Sequence, residues 1–263
     1  MKTVFVAWQN PKTRKWFTVG RLTERQGEYE FVYTKGALSA GEEFIPFGRF
    51  RKLGSRYVSK ELFPLFANRT FAENRQEYQQ FLEWLGLKGG TTDPIEVLAR
   101  SGGRRATDTL EIFPYPIPNP SGQVEFEFFV HGVRYLPPET MDRISGLQEG
   151  TRLCLMFDVQ NPVDPKAVAI RTENPPLFLG YCPRYLAYDL RHLLWPEESF
   201  KDAGLSVLRV NEDAPLQYRL LCRFTAKWPK EYVPCSGEEY QPIDGSATTF
   251  ITSYPHIGVR TEA

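Results

Sequence analysis

Pro114-Tyr115-Pro116-Ile117-Pro118-Asn119-Pro120-Ser121-Gly122 divides this chain, because it can continue neither a helix nor a central strand. Proline at alternate positions fixes φ and removes backbone donors. The stretch predicts a boundary over 114–123, held as a semi-rigid, polyproline-like spacer. A length of 263 residues allows two domains of ordinary size, and 41% hydrophobic with 14% aromatic content supplies both cores. The expected division is a first domain over 1–113, a second over 124–228 and an irregular tail over 229–263. Pro, Gly, Ser and Thr dominate that tail, and it shows no periodicity.

In the first domain Thr3 to Trp8, Trp16 to Leu22 and Tyr29 to Tyr33 are apolar or β-branched runs separated by turn residues, which predicts an antiparallel meander. Helical signals follow. Arg75 to Leu85 places Tyr78, Phe81, Leu82 and Leu85 on one helical face, with Gly86 as its stop. Asp93-Pro94-Ile95-Glu96 has the cap, the first-turn proline and the acid of a helix start, and that helix is expected to reach Arg100. A strand over Thr109 to Phe113 closes the unit. In the second domain Val124 to Val130, Arg152 to Asp158, Ala167 to Thr172, Leu177 to Tyr181, Val207 to Val210 and Tyr218 to Trp228 read as strands, and Arg184 to Leu194 as a helix. The expected class is therefore α+β: an antiparallel meander with helices, then a small barrel-like sheet with one or two helices.

Lys plus Arg and Asp plus Glu each total 32, so no global field draws the chain to a polyanion and any nucleic-acid site has to be a local patch. The N-terminus lacks an export signal, and no apolar run approaches the roughly 20 residues of a membrane helix. A cytoplasmic protein without membrane contact is expected. The 4 cysteines, Cys154, Cys182, Cys222 and Cys235, show no paired spacing, and with His131, His192 and His256 they offer no zinc pattern. They are expected as buried thiols. No catalytic triad, metalloprotease or dinucleotide motif appears, so neither an enzyme nor a cofactor is expected. The basic Arg100 to Asp108 stretch follows a helix and lacks Gly-Lys-Ser/Thr, so it reads as a helix cap and a solvated turn rather than a phosphate cradle.

The chemistry concentrates between Phe157 and Ile170. Asp158, Asn161 and Asp164 have short side chains that bond neighbouring backbone, the usual turn chemistry. The same loop leaves Asn161 and Lys166 to hold a nucleotide. Asp158 with Asp164-Pro165-Lys166 also follows the acid, then acid-x-lysine order of metal-dependent nucleases, although Pro165 breaks the extended strand that order needs. Arg134-Tyr135 pairs a guanidinium with a stacking ring, and Tyr181 with Arg184 repeats that chemistry at the end of a strand and the start of a helix.

Gly132-Val133-Arg134-Tyr135, Asn161-Pro162-Val163-Asp164-Pro165-Lys166-Ala167-Val168 and Gly180-Tyr181-Cys182-Pro183-Arg184 together resemble the HIRAN domain, over about Val124 to Leu194 and on to Trp228. In that family a pocket takes the 3′ end of single-stranded DNA through an Arg-Tyr pair, the N-P-x-D loop and polar residues after the later glycine. The resemblance implies Arg134, Tyr135, Asn161, Tyr181 and Arg184 as nucleic-acid-binding residues, and Lys166 joins them from the turn. Where the family has an aromatic between Pro and Asp, this chain has Val163, which removes one stacking face.

Trp16 to Leu22, Leu62-Phe63-Pro64-Leu65-Phe66-Ala67-Asn68-Arg69 and Asp93 to Gly103 make the first domain similar to the N-terminal subdomain of HipA-type toxin kinases. That resemblance implies a prokaryotic-type, non-catalytic module that docks a protein partner through residues 1–113. Two readings follow. One is an adaptor whose second domain binds single-stranded DNA or DNA ends; the other is a protein-interaction regulator without DNA binding.

Overall fold

The structure is a computed structural model and describes residues 1–71, 76–87, 93–105, 107–119, 121–194, 203–229, 233–243 and 247–250. Packing divides the chain into two units. Met1–Thr70, Pro94–Tyr115 and Ser236–Ala263 form unit 1, and Phe71–Asp93 with Pro116–Cys235 forms unit 2.

Unit 1 is built on β1 (Lys2–Gln9), β2 (Trp16–Arg25), β3 (Glu28–Tyr33), β4 (Ser55–Ser59), β5 (Leu110–Pro114) and β12 (Ala247–Phe250), in the order β12-β4-β3-β2-β1-β5. The meander is antiparallel, as expected, and β12 alone adds in parallel, on β4. Val4 and Val6 of β1 and Phe31 and Tyr33 of β3 point into one core from alternating positions, and Leu22 joins them from β2 with Val19, which sits where the β1–β2 register shifts. The buried Tyr33 hydroxyl donates to the Phe50 carbonyl at 2.9 Å and accepts from the Phe47 N–H at 2.6 Å, so a polar tip is carried into an aromatic core with both capacities used. Helix α1 (Lys35–Ser39) follows β3, α2 (Pro64–Ala67) supplies Phe66, and α4 (Pro94–Ser101) buries Ile95 and Leu98. The glycines after α4 end it in the left-handed region, Gly102 at φ 73°, with its N–H on the Leu98 carbonyl. The basic turn there is paired: Arg104 meets Glu111 at 2.8 Å, and Arg69 reaches Asp108.

Unit 2 is a six-stranded antiparallel sheet of β6 (Gln123–Phe129), β7 (Arg152–Phe157), β8 (Val168–Thr172), β9 (Phe178–Tyr181), β10 (Gly204–Val210) and β11 (Leu220–Lys227). Its order is β6-β11-β10-β7-β8-β9. The sheet curls until its two ends meet, because Tyr181 of β9 pairs with His131, two residues past β6, through N–H···O bonds of 2.8 and 2.9 Å. Gly180 permits the closure. Its φ is 130°, and a methyl there would run into the His131 carbonyl oxygen and, at 2.7 Å, into Val130. The interior is filled by Phe126, Phe128, Val168, Ile170, Leu205 and Phe224 of the sheet and by α6 (Arg184–Leu194), which buries Leu186, Ala187, Leu190, Leu193 and Leu194. Among the described residues no helix is long and apolar enough to cross a membrane.

Several expectations change. The helix expected over Arg75 to Leu85 exists as α3 (Tyr78–Trp84), with Arg75 itself outside the described residues, and it packs in unit 2 instead of the first domain. Phe81 meets Tyr218 edge to face at 5.7 Å, and Trp84 Nε1 and Gln80 donate to Asp213. The buried Asn211 donates to the Trp84 and Tyr218 carbonyls together. Strand β4 and helix α5 (Pro138–Ser145) were not read from the sequence. In the C-terminal segment, expected as an irregular tail, Lys35 N–H bonds the Gln241 carbonyl, Ile243 N–H bonds that of Tyr33, and the short strand β12 follows, while residues 251–263 lie outside the described part. The spacer is partly turn, since Asn119 Oδ1 accepts the N–H groups of Ser121 and Gln123. Of the cysteines, Cys182 and Cys222 are buried, whereas Cys154 and Cys235 are half-buried.

Candidate nucleic-acid interface

The corner after β6 is shaped by Gly132, whose φ of 82° turns the chain from the closing bridge into a single 3-10 turn over Val133–Tyr135. Val133 is buried and anchors the turn. Arg134 and Tyr135 are left outside, Tyr135 with 76% of its surface exposed. The Arg134 guanidinium lies 4.7 Å from the Tyr135 ring centre, and its Nη2 donates to the Tyr135 hydroxyl at 2.6 Å. Cation and ring are thus offered to solvent as one unit.

The turn between β7 and β8 organises itself through its own short side chains. Asn161 Oδ1 accepts the N–H groups of Val163 and Asp164, each at 3.0 Å, and Asp164 Oδ1 accepts that of Lys166 at 3.0 Å. Asp158 is the hub: its Oδ2 accepts the Tyr181 hydroxyl at 2.8 Å and Asn161 Nδ2 at 3.2 Å. Burial, and then the hydrogen bond to Asp158, push the Tyr181 phenol above its ordinary pKa, so it stays a neutral donor. One bond therefore ties the turn to β9, and the His131 pairing ties β9 to the Arg134-Tyr135 corner.

Helix α6 opens beside the same turn. Arg184 Nε meets Asp164 Oδ2 at 3.1 Å, with 37% of the Arg184 side chain still exposed. Further along, Arg191 Nε and Nη2 donate to the carbonyls of Lys166 and Pro165, both at 3.1 Å, and its guanidinium covers the Phe157 ring at 4.7 Å. Lys166 Nζ stands 5.1 Å from the Tyr188 ring centre.

Of the six residues singled out in the sequence, Tyr181 and Asn161 share the Asp158 carboxylate, and Arg184 joins the same turn through Asp164. Arg134 and Tyr135 follow the His131–Tyr181 bridge by three and four residues, past Gly132, whose added Cβ would sit 3.8 Å from the Tyr181 ring, and their side chains contact each other. Lys166 faces α6 instead, over Tyr188. The two acids of the nuclease-like order are turned to different donors, Asp158 to Tyr181 and Asn161, Asp164 to Arg184. Among the described residues no three His, Cys, Asp or Glu side chains group as a metal site. Sequence reasoning missed Tyr188 and Arg191. Their spacing from Arg184, at i, i+4 and i+7 on one helix face, was the available signal.

Residues 123–229 match the family model of the HIRAN domain, and unit 2 accordingly carries a HIRAN domain. No curated protein matches the chain. Two solved structures are similar over part of it. The HIRAN domain of human HLTF is 17% identical, over 41% of this chain and 81% of that one, with a TM-score of 0.31. A protein from Lactobacillus plantarum is 18% identical, over 40% of this chain and 97% of that one, also with a TM-score of 0.31.

Proposed function

We propose that unit 2 binds single-stranded DNA and receives a 3′ end at the corner formed by Arg134, Tyr135, Asn161, Tyr181 and Arg184. Unit 1 would dock a protein partner, which makes the whole a non-catalytic adaptor needing no cofactor. The observation that carries this reading is the pairing of Tyr181 with His131, within a region that matches the HIRAN domain. It sets an exposed cation and ring beside a turn whose amide and phenol are already oriented by Asp158. Guanidinium groups suit phosphates, exposed rings suit bases, and the second Asn161 Nδ2 proton can donate to a sugar or base edge while the Tyr181 hydroxyl oxygen can accept from one. Val163, exposed and aliphatic at the tip of the turn, offers surface but no ring, so Tyr135 would carry the stacking. The protein-docking role of residues 1–113 draws on the segments similar to HipA-type subdomains.

Fluorescence anisotropy with short single-stranded DNA at two salt concentrations tests the reading. Arg134→Ala with Tyr135→Ala should weaken binding by at least about tenfold, the lower part of what one lost stacking contact and one phosphate contact supply. Equal binding by wild type and the double variant would remove the pocket. Failure of the wild type to bind at low salt would leave the protein-interaction reading.

A further inference from the structure

Tyr188 is the one large side chain that α6 turns outward at its centre, while Leu186, Ala187 and Leu190 on either side are buried. It does not serve the core: 49% of its surface is exposed. Around it the structure assembles polar neighbours. The His192 ring stands edge-on at 4.4 Å, one helical turn on, and the Lys166 ammonium lies 5.1 Å from the ring centre. The backbone that carries this lysine is fixed by the Arg191 side chain, which bonds its carbonyl and that of Pro165. Arg191 is itself fixed over Phe157. An exposed ring with a cation held beside it is the composition of a stacking platform for single-stranded nucleic acid. The platform continues the corner described above. Lys166 closes the same turn that begins with Asp158 and Asn161, and Arg184, Tyr188 and Arg191 occupy one face of one helix.

We propose that Tyr188, flanked by Lys166 and His192, is a second nucleotide subsite. It would stack the base of a nucleotide upstream of the captured 3′ end while the Lys166 ammonium meets a phosphate. This rests on the DNA-binding reading of the corner and extends it by a strand direction, from Arg134-Tyr135 across the turn to the outer face of α6. The occupant is single-stranded rather than duplex DNA, because a paired base keeps its faces stacked on its neighbours.

Two thymidine oligonucleotides with free 3′ ends separate the subsites, one of about ten nucleotides and one of about two, the shorter read by competition. Tyr188→Ala should weaken the longer by at least about fivefold and leave the shorter unchanged, and Tyr188→Phe should restore binding because the ring remains. Lys166→Ala should weaken the longer in the same way. If Tyr188→Ala binds the longer oligonucleotide as wild type does while Arg134→Ala loses it, the second subsite is wrong and the corner stands. If Tyr188→Ala loses binding and Arg134→Ala does not, the corner is wrong and the platform stands. No binding by the wild type overturns both. Tyr188 is exposed, so neither substitution threatens the core.

Discussion

Asp158 accepts two donors on one oxygen, and this makes the corner rigid before any ligand arrives. Tyr181→Phe keeps the ring and removes the donor, leaving Asp158 with Asn161 alone. It should cost about 1 kcal/mol of stability in urea denaturation, the net worth of one such hydrogen bond, together with part of the DNA affinity. Gly180→Ala tests closure of the sheet, since it meets both a positive φ and the His131 carbonyl. A loss of about 2 kcal/mol or more is expected, with lost hydrogen-exchange protection at His131 and Tyr181. The thiols of Cys182 and Cys222 are pushed above their ordinary range by burial. A folded-state pKa above the unfolded value gives stability that is complete below about pH 8.5 and falls as pH rises beyond it. Both thiols should react with a thiol reagent only after unfolding. Reaction in the native protein as fast as that of an exposed cysteine would contradict their burial.

At the scale of elements, the strands of both sheets were legible where apolar or β-branched runs stand between turn residues, as in Val4-Phe5-Val6-Ala7-Trp8 before Asn10-Pro11. Strand β4 was not legible because Ser55-Arg56-Tyr57-Val58-Ser59 carries only two apolar residues, and its place is set by pairing with β3. The apolar face of α3 was readable from Tyr78, Phe81, Leu82 and Leu85, yet no local pattern says which core receives it. Sequence order pointed to the first domain, while the Asp213 carboxylate and the Asn211 amide hold it in unit 2. Phe81→Ala should therefore cost about 3–5 kcal/mol in unit 2 and lower exchange protection around Tyr218 to Phe224, with β1 to β3 unchanged. Lost protection in β1 to β3 instead would place α3 wrongly. For the site, the identities of Arg134, Tyr135, Asn161, Tyr181 and Arg184 were readable from turn chemistry and resemblance. What joins them was not, since the His131–Tyr181 pairing and the Asp158 hub connect residues 50 and 23 positions apart.

Across the whole molecule the chain leaves unit 1 after Thr70, enters unit 2, returns at Pro94, leaves again after Tyr115 and comes back at Ser236. The C-terminal return is structural, since its backbone bonds Lys35 and Tyr33 and continues the sheet past β4. Removing residues 236–263 should lower the thermal midpoint of unit 1 and expose the β4 edge to association. The balance of 32 basic and 32 acidic residues leaves DNA affinity to a few local cations. With Arg134, Lys166 and Arg184 as the phosphate contacts, at roughly 0.7 counterion per contact on a single strand, log affinity against log salt should fall with a slope no steeper than about −2. A much steeper slope would mean a larger basic surface than these three cations. End capture itself is tested most directly by comparing, on the wild-type chain, one single-stranded oligonucleotide with a free 3′ hydroxyl and the same oligonucleotide with that hydroxyl blocked by phosphate. We expect the free end to bind at least about tenfold tighter, as when a built donor site loses its partner. Equal affinity for the two would contradict a pocket that reads DNA ends.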